Sequence, residues 1–235
     1  MNQDQITKLK AHTDHLVNSY IGLLRKYSFL KPMIFDSSVA KKYGDNEKRL
    51  GFETIRITLL YSSIQDVVNL CFDSHKTTPS IIRIIGILAK PDVHKALRAE
   101  HTTWSMDHQN NVSNQIKLAL EKLEEAEKQK RGVEFDQHYK RVLEKWDVLQ
   151  KDKAVIAFKE IRNKLTAHLE LKKVDGEYKS MDVEALGIKW DDLGRILEEL
   201  EEVVIALNLL IRNAGLYMEG VYETLDSAQK AFWAY

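Results

Sequence analysis

The run Asp191-Asp192-Leu193-Gly194-Arg195-Ile196-Leu197-Glu198-Glu199-Leu200-Glu201-Glu202-Val203-Val204-Ile205-Ala206-Leu207 decides the fold class. Leu193, Leu197, Leu200, Val204, Leu207 and Ile211 recur in steps of four and three, and Ile196, Val203 and Leu210 widen the stripe. Glu198, Glu199, Glu201 and Glu202 occupy the opposite face. Asp191 or Asp192 can cap such a helix, which is expected to run to about Asn213. A helix this one-sided is stable only against other helices, so the stretch already points to a bundle.

The same spacing continues outward. A first helix is expected from about Gln3 to Leu30, carrying Ile6, Leu9, Leu16, Tyr20, Leu23 and Leu24 and stopping before Pro32. After a Gly44-Asp45-Asn46 loop, a second runs over about Glu47–Asp73 with Phe52, Ile55, Leu59, Ile64, Val67, Val68 and Cys71 on its apolar side. Thr78 followed by Pro79 is a start signal for a short apolar helix to Ala89, and Pro91 opens another. From Val112 to Arg131 the chain is charged, with a thin stripe of Ile116, Leu120 and Leu123. With a return helix over about Glu134–Gln150 it reads as an antiparallel helical-hairpin arm spanning about 112–150. Asp152 caps the next helix, expected to continue to about Lys172, and Asp175-Gly176 marks the tip of a turn or small hairpin. A last helix ends in Phe232, Trp233 and Tyr235. With only 3 prolines and 10 glycines to interrupt it, the chain is expected to be an all-α helical bundle forming a single domain over 1–235.

Composition narrows the function. Lys+Arg and Asp+Glu both number 35 in 235 residues, so a global basic field is excluded and any contact with a polyanion rests on a local patch. Cys71 is the sole cysteine, which excludes an intramolecular disulfide and an all-cysteine zinc site. No apolar run approaches the roughly 20 residues that span a bilayer, and Met1–Lys10 lacks the apolar stretch of a secretory leader. A soluble, cytoplasmic protein is the expectation.

One helix breaks its own pattern. At about 100° per residue, Phe158, Leu165 and Leu169 align, with Val155 and Ile161 flanking them. Arg162 then falls about 40° from the stripe's centre and His168 about 80° away on the other flank, while Asn163 points to the far side. A guanidinium on a core-facing side is costly unless it is paired, stacked or open to a wet crevice. One explanation is an ion pair with Glu198 or Glu202, with His168 favoured by the negative end of the helix dipole. The other is chemical. An arginine that holds a phosphate and a histidine that moves a proton suffice to cleave RNA without metal. The ribose 2′-OH attacks the adjacent phosphorus and an acid protonates the departing 5′-oxygen. One helix supplies a single copy of each, so two-fold dimerisation would divide the roles between subunits.

Phe158-Lys159-Glu160-Ile161-Arg162-Asn163-Lys164-Leu165-Thr166-Ala167-His168 resembles the hallmark of the HEPN superfamily: Arg, a polar residue, then a His after four to six intervening positions. The surroundings look most like the abortive-infection AbiU-type branch, whose next helix begins Gly-x-x-Trp-x-Asp-Leu; Gly187-Ile188-Lys189-Trp190-Asp191-Asp192-Leu193 is similar. The resemblance implies a homodimeric helical bundle, metal-independent endoribonuclease activity and a place in phage defence or a toxin–antitoxin system. It assigns Arg162 and His168 as catalytic and Asn163 as their polar support, with no cofactor and no metal. The alternative it leaves open is a non-catalytic helical module that binds a nucleotide or a partner. A further alternative is a toxin silenced by an antitoxin.

Other groups have plainer readings. Cys71 and His75, four apart, lack a second ligand pair, and Cys71 belongs to the apolar face. His12 with His15, and His94 with His101, read as surface histidines. Lys41, Lys42, Lys48 and Arg49 around Tyr43, and the Lys128–Arg131 cluster, read as solvated charge, with contact to an RNA strand as the alternative. No Gly-rich phosphate loop and no serine nucleophile elbow occurs.

Overall fold

The computed structural model of the protein describes residues 3–43, 45–103, 114–166, 171–174, 177–180 and 186–233. Among them are helices α1 (Gln3–Phe35), α2 (Ser37–Tyr43), α3 (Arg49–Phe72), α4 (Ile81–Leu88), α5 (Pro91–Thr102), α6 (Asn114–Gln150), α7 (Lys153–Ile161), α8 (Asp192–Arg212) and α9 (Glu219–Trp233). The architecture is the expected all-α bundle. Its only β structure among the described residues is a hairpin, β1 (Leu171–Val174) against β2 (Glu177–Ser180). Val174 faces Glu177 in the register, so the strands pair as a small hairpin, while its expected Asp175-Gly176 tip lies outside the described residues.

The helix that reveals the fold class also organises it. α8 packs on α1 and on α6, and α3 packs on α1 and α7. Ile196, Leu200, Val203, Val204, Leu207 and Leu210 of α8 are completely buried, joined by Leu16, Tyr20 and Leu23 of α1, Val67 and Cys71 of α3, and Val142 of α6. Burial of whole aliphatic side chains contributes roughly 1.5–3 kcal/mol each, which is what holds a helix such as α8 in place. One polar tie crosses this core: the Tyr20 hydroxyl lies 3.0 Å from the Leu197 carbonyl and 3.1 Å from Glu201 Oε2. α8 ends on Asn213 in the left-handed region (φ 51°), a conformation asparagine tolerates at helix ends. No described helix is long and apolar enough to cross a membrane.

Two boundaries in the first half of the chain differ from the sequence expectation. α1 does not stop before Pro32 but carries it inside the helix, and the Asp36 N–H donates to the Pro32 carbonyl at 2.9 Å. Proline removes one helix hydrogen bond, and burying Met33 in a small cluster with Val39 and Phe52 offsets that loss. Asp36 then starts α2 by accepting from Ser38 N (2.8 Å) and Ser38 Oγ (2.5 Å), bonds that hold its carboxyl below the usual range. α4 begins at Ile81 rather than at Pro79, with Ser80 as its N-cap residue. The Ser80 hydroxyl is spent on the Asp73 carbonyl, which ties α4 to the end of α3.

The largest correction concerns the arm. Residues 114–150 form one continuous helix, α6, not a hairpin of two. Gly132, which falls between the two expected helices, sits inside it, and the Arg98 guanidinium of α5 fills the space where a side chain would project (Nη2 2.6 Å from an ideal Cβ). Phe135 and Val142 pin the following turns into the core, whereas Ile116, Leu118 and Leu123 stay about half exposed. A thin stripe reads the same in a hairpin and in a helix whose first turns simply meet solvent.

Candidate functional site

α7 is anchored at its first turn. Asp152 Oδ1 accepts from Ala154 N (2.8 Å) and Val155 N (3.4 Å), the N-cap that the sequence predicts. The same carboxylate receives Arg195 of α8, Nη1 to Oδ2 at 2.9 Å and Nη2 to Oδ1 at 3.1 Å. Arg195 also reaches Glu199 (2.8 Å) and Asp192 (3.3 Å). The Arg195 hydrogen bonds lower the Asp152 pKa, opposed by partial burial. Val155, Phe158 and Ile161 are completely buried, so both the cap and the apolar face fix the rotation of α7 about its axis.

That rotation delivers Lys159 and Arg162 to the end of α3. A crevice of about 340 Å³ opens there, lined by Val68, Asn69, Phe72, Asp73, Ser74, His75, Lys159, Arg162 and Asn163. The Lys159 ammonium lies 4.9 Å from the centre of the Phe72 ring. Arg162 is half-buried, and its Nη1 donates to Asn163 Oδ1 at 3.1 Å. Lys164 turns back to Glu160 at 2.7 Å. His75 is held by its neighbours: its N–H donates to Asp73 Oδ1 (2.9 Å) and its Nδ1 lies 2.8 Å from Thr77 Oγ1. Two fixed cations, a histidine, two carboxamides and the Asp73 carboxylate share one opening, with Asp73 Oδ1 turned to the His75 N–H; the cations give the opening the means to hold an anion.

Arg162–Thr166 is a π turn rather than a continuation of the α-helix. A wider turn advances fewer degrees per residue, so the α-helical wheel fails beyond Ile161. Asn163 is not on the far side as predicted; it stands beside Arg162 on the same crevice. The helix also ends short of Lys172, because β1 begins at Leu171. His168 lies outside the described residues. Of the acidic partners considered for Arg162, Glu202 is engaged by Lys145 instead.

The following helix start has its own geometry. Gly187 adopts φ +66°, which favours glycine, and Asp191 is the N-cap residue of α8 without a side-chain capping bond. Asp192 makes the local bond instead, Oδ2 accepting from Lys189 N at 2.8 Å. Trp190, 47% exposed, stacks on the Arg56 guanidinium 5.2 Å from its ring centre.

Lys159 was within reach of sequence reasoning, since it stands three residues before Arg162 and shares its helix face. Asn69 and His75 were not, because only packing of α3 on α7 brings them there. The other histidines are less superficial than expected. His94 and His101 stack on Phe135 at 5.3 and 4.9 Å, and His101 Nε2 lies 2.9 Å from the Leu210 carbonyl, so they join α5 to α6 and α8. His12 is buried and His15 exposed. Cys71 is completely buried, and burial pushes its thiol pKa up, whereas His75 lies beyond the helix end; the two do not form a ligand pair. The C-terminal aromatics pack on their own chain, Phe232 on Phe29 (5.2 Å) and Trp233 on Tyr43 (5.4 Å); Tyr235 lies outside the described residues.

No curated protein and no solved structure matches the chain. The family model of the HEPN proteins described as AbiU2 matches residues 6–230, nearly its whole length. With an all-α bundle and an arginine–asparagine pair on a crevice at the end of the motif helix, the chain belongs to the HEPN AbiU2 family of abortive-infection type.

Proposed function

We propose that this chain, a single HEPN domain over 1–235, is a metal-independent endoribonuclease acting in phage defence. The observation that carries the reading is Arg162: half-buried, joined to Asn163, and lining an open crevice beside Lys159. Arg162 binds the scissile phosphate and stabilises the charge that develops on its oxygens. His168 transfers protons, and Asn163 orients the guanidinium. Lys159 adds charge for the neighbouring phosphate. A second copy of the chain contributes its own Arg162 and His168 to a composite cleft, one histidine serving as base and the other as acid. The products carry a 2′,3′-cyclic phosphate and a 5′-hydroxyl. A partner protein that restrains the activity belongs to the same reading.

The test is cleavage of end-labelled cellular RNA by the purified full-length chain in EDTA, with the product termini identified. Arg162→Ala is expected to lower the rate by about 10²-fold or more, and His168→Ala by about 10²–10⁴-fold, both with unchanged helicity. Wild-type cleavage that persists in both variants would overturn the assignment. A wild-type protein that never cleaves but still binds a nucleotide favours the non-catalytic module.

A further inference from the structure

A second cavity, of about 220 Å³, opens where α1 meets α4 and α5, and it shares no residue with the Arg162 crevice. Lys8 and His12 face it from one side of α1, Arg83 from α4, and Lys90 from the link into α5, above a floor formed by Leu9 and Val93. Among the described residues no carboxylate lines it. Arg83 is the anomaly in the sequence here, a cation interrupting the apolar run Ile81–Leu88. His12 is only 9% exposed, and its Nδ1, like Arg83 Nε, is buried without a hydrogen-bond partner. Buried polar atoms are ordinarily satisfied, and clustered like charges ordinarily have a counter-charge. Both expectations fail at one place, and a single anion would answer both.

We propose that this cavity binds a phosphate monoester, independently of the Arg162 site. A guanidinium and two ammonium groups around one opening match a dianion better than a single negative charge. The cavity's size accepts a tetrahedral phosphoryl group with the first atoms of its ester. An internal phosphodiester, substituted on two sides, would have to thread the cavity to reach His12. The titration of His12 agrees: burial, then Arg83, Lys8 and His15, lower its pKa. Bound phosphate would reverse that shift.

Calorimetry and histidine-ring NMR on the full-length protein at low ionic strength test the proposal. The probes are inorganic phosphate, ribose 5-phosphate, and a short RNA with a 5′-phosphate or a 5′-hydroxyl. Saturable binding of the phosphorylated probes is expected, with the His12 pKa rising, and Arg83→Gln should weaken it by about tenfold or more. Lys90→Gln, at an exposed position, gives the same direction should Arg83→Gln not fold. Tighter binding of ribose 5-phosphate assigns a free metabolite, and tighter binding of the 5′-phosphoryl RNA assigns an RNA end. No saturation by inorganic phosphate, ribose 5-phosphate or the 5′-phosphoryl RNA, or unchanged affinity in folded Arg83→Gln and Lys90→Gln, overturns the proposal. Arg162→Ala should bind phosphate here unchanged, so failure at this cavity is separable from failure of the nuclease reading.

Discussion

Asp152 performs two tasks at once, and replacing it by alanine separates them. Its carboxylate caps α7 through Ala154 N and Val155 N, and loss of an N-cap costs about 1 kcal/mol. It also holds Arg195, but the side chains are 21% and 43% exposed, so solvent screening limits that pair to about 0.5–1 kcal/mol. Asp152→Ala should therefore destabilise the protein by about 1.5–2 kcal/mol. That corresponds to a Tm lower by about 3–8 °C for a chain of this size. Asp152→Asn keeps a capping oxygen and should lose only the pair. In an Arg195→Ala background the pair is already gone, and a double-mutant cycle should return a coupling of about 0.5–1 kcal/mol. The pH dependence has a definite sign. The folded carboxyl titrates below its ordinary 3.8, so its contribution is complete above about pH 4 and disappears as pH falls through the folded value. Wild type and Asp152→Asn should therefore converge in strong acid. Calorimetric melting across pH checks each point. A Tm for Asp152→Ala within 1 °C of wild type, or an Asn variant as damaged as the Ala variant with no coupling to Arg195, would refute the two-task account.

Gly132→Ala examines the continuity of α6. A helical glycine replaced by alanine gains up to about 1 kcal/mol in propensity. Against that, the Arg98 tip must swing aside and strain its bonds to Asp136 at 3.0 and 3.1 Å. A net change within about 0.5 kcal/mol is expected by urea unfolding, whereas a left-handed hairpin position would cost more than about 1 kcal/mol. His12 and His101 supply a second pH effect, since burial is the chief cause lowering both pKa values below the ordinary 6.5. Below that value the unfolded chain binds more protons, so stability should decline as pH falls from about 7 towards 5. Glutamine at both positions should flatten the decline, and a profile that rises towards acid contradicts the burial.

Features governed by local chemistry were legible in the sequence. The stripe of α8, the Pro91 start of α5, the Asp152 cap and the pairing of β1 with β2 each depend on residues a few positions apart. Where distant residues arbitrate, the sequence was ambiguous. Pro32 ends a helix by local rules, yet Met33 meeting Phe52 carries α1 onward. The stretch between Arg131 and Glu134 reads as the turn of an arm, yet Arg98 of another helix packs against Gly132 and the helix runs on. The histidines at 94 and 101 look like surface groups until Phe135 comes between them.

The candidate site divides along the same line. That Arg162 is misplaced on an apolar helix face needs only the helical period, and so the anomaly was visible from sequence. What resolves it is not local: α3 ends opposite α7 and leaves an opening between them. The π turn then brings Asn163 onto the same side as Arg162, which an unbroken α-helix would have sent apart. A π turn relinquishes regular helix bonding, and such turns concentrate at functional sites. Here it begins at the arginine, one residue after the last fully buried side chain of α7. The backbone departs from regularity where the packing constraint ends. The arginine and the asparagine therefore stand side by side where the backbone leaves the regular helix and the crevice opens, and it is on this juxtaposition that the proposed phosphate site rests.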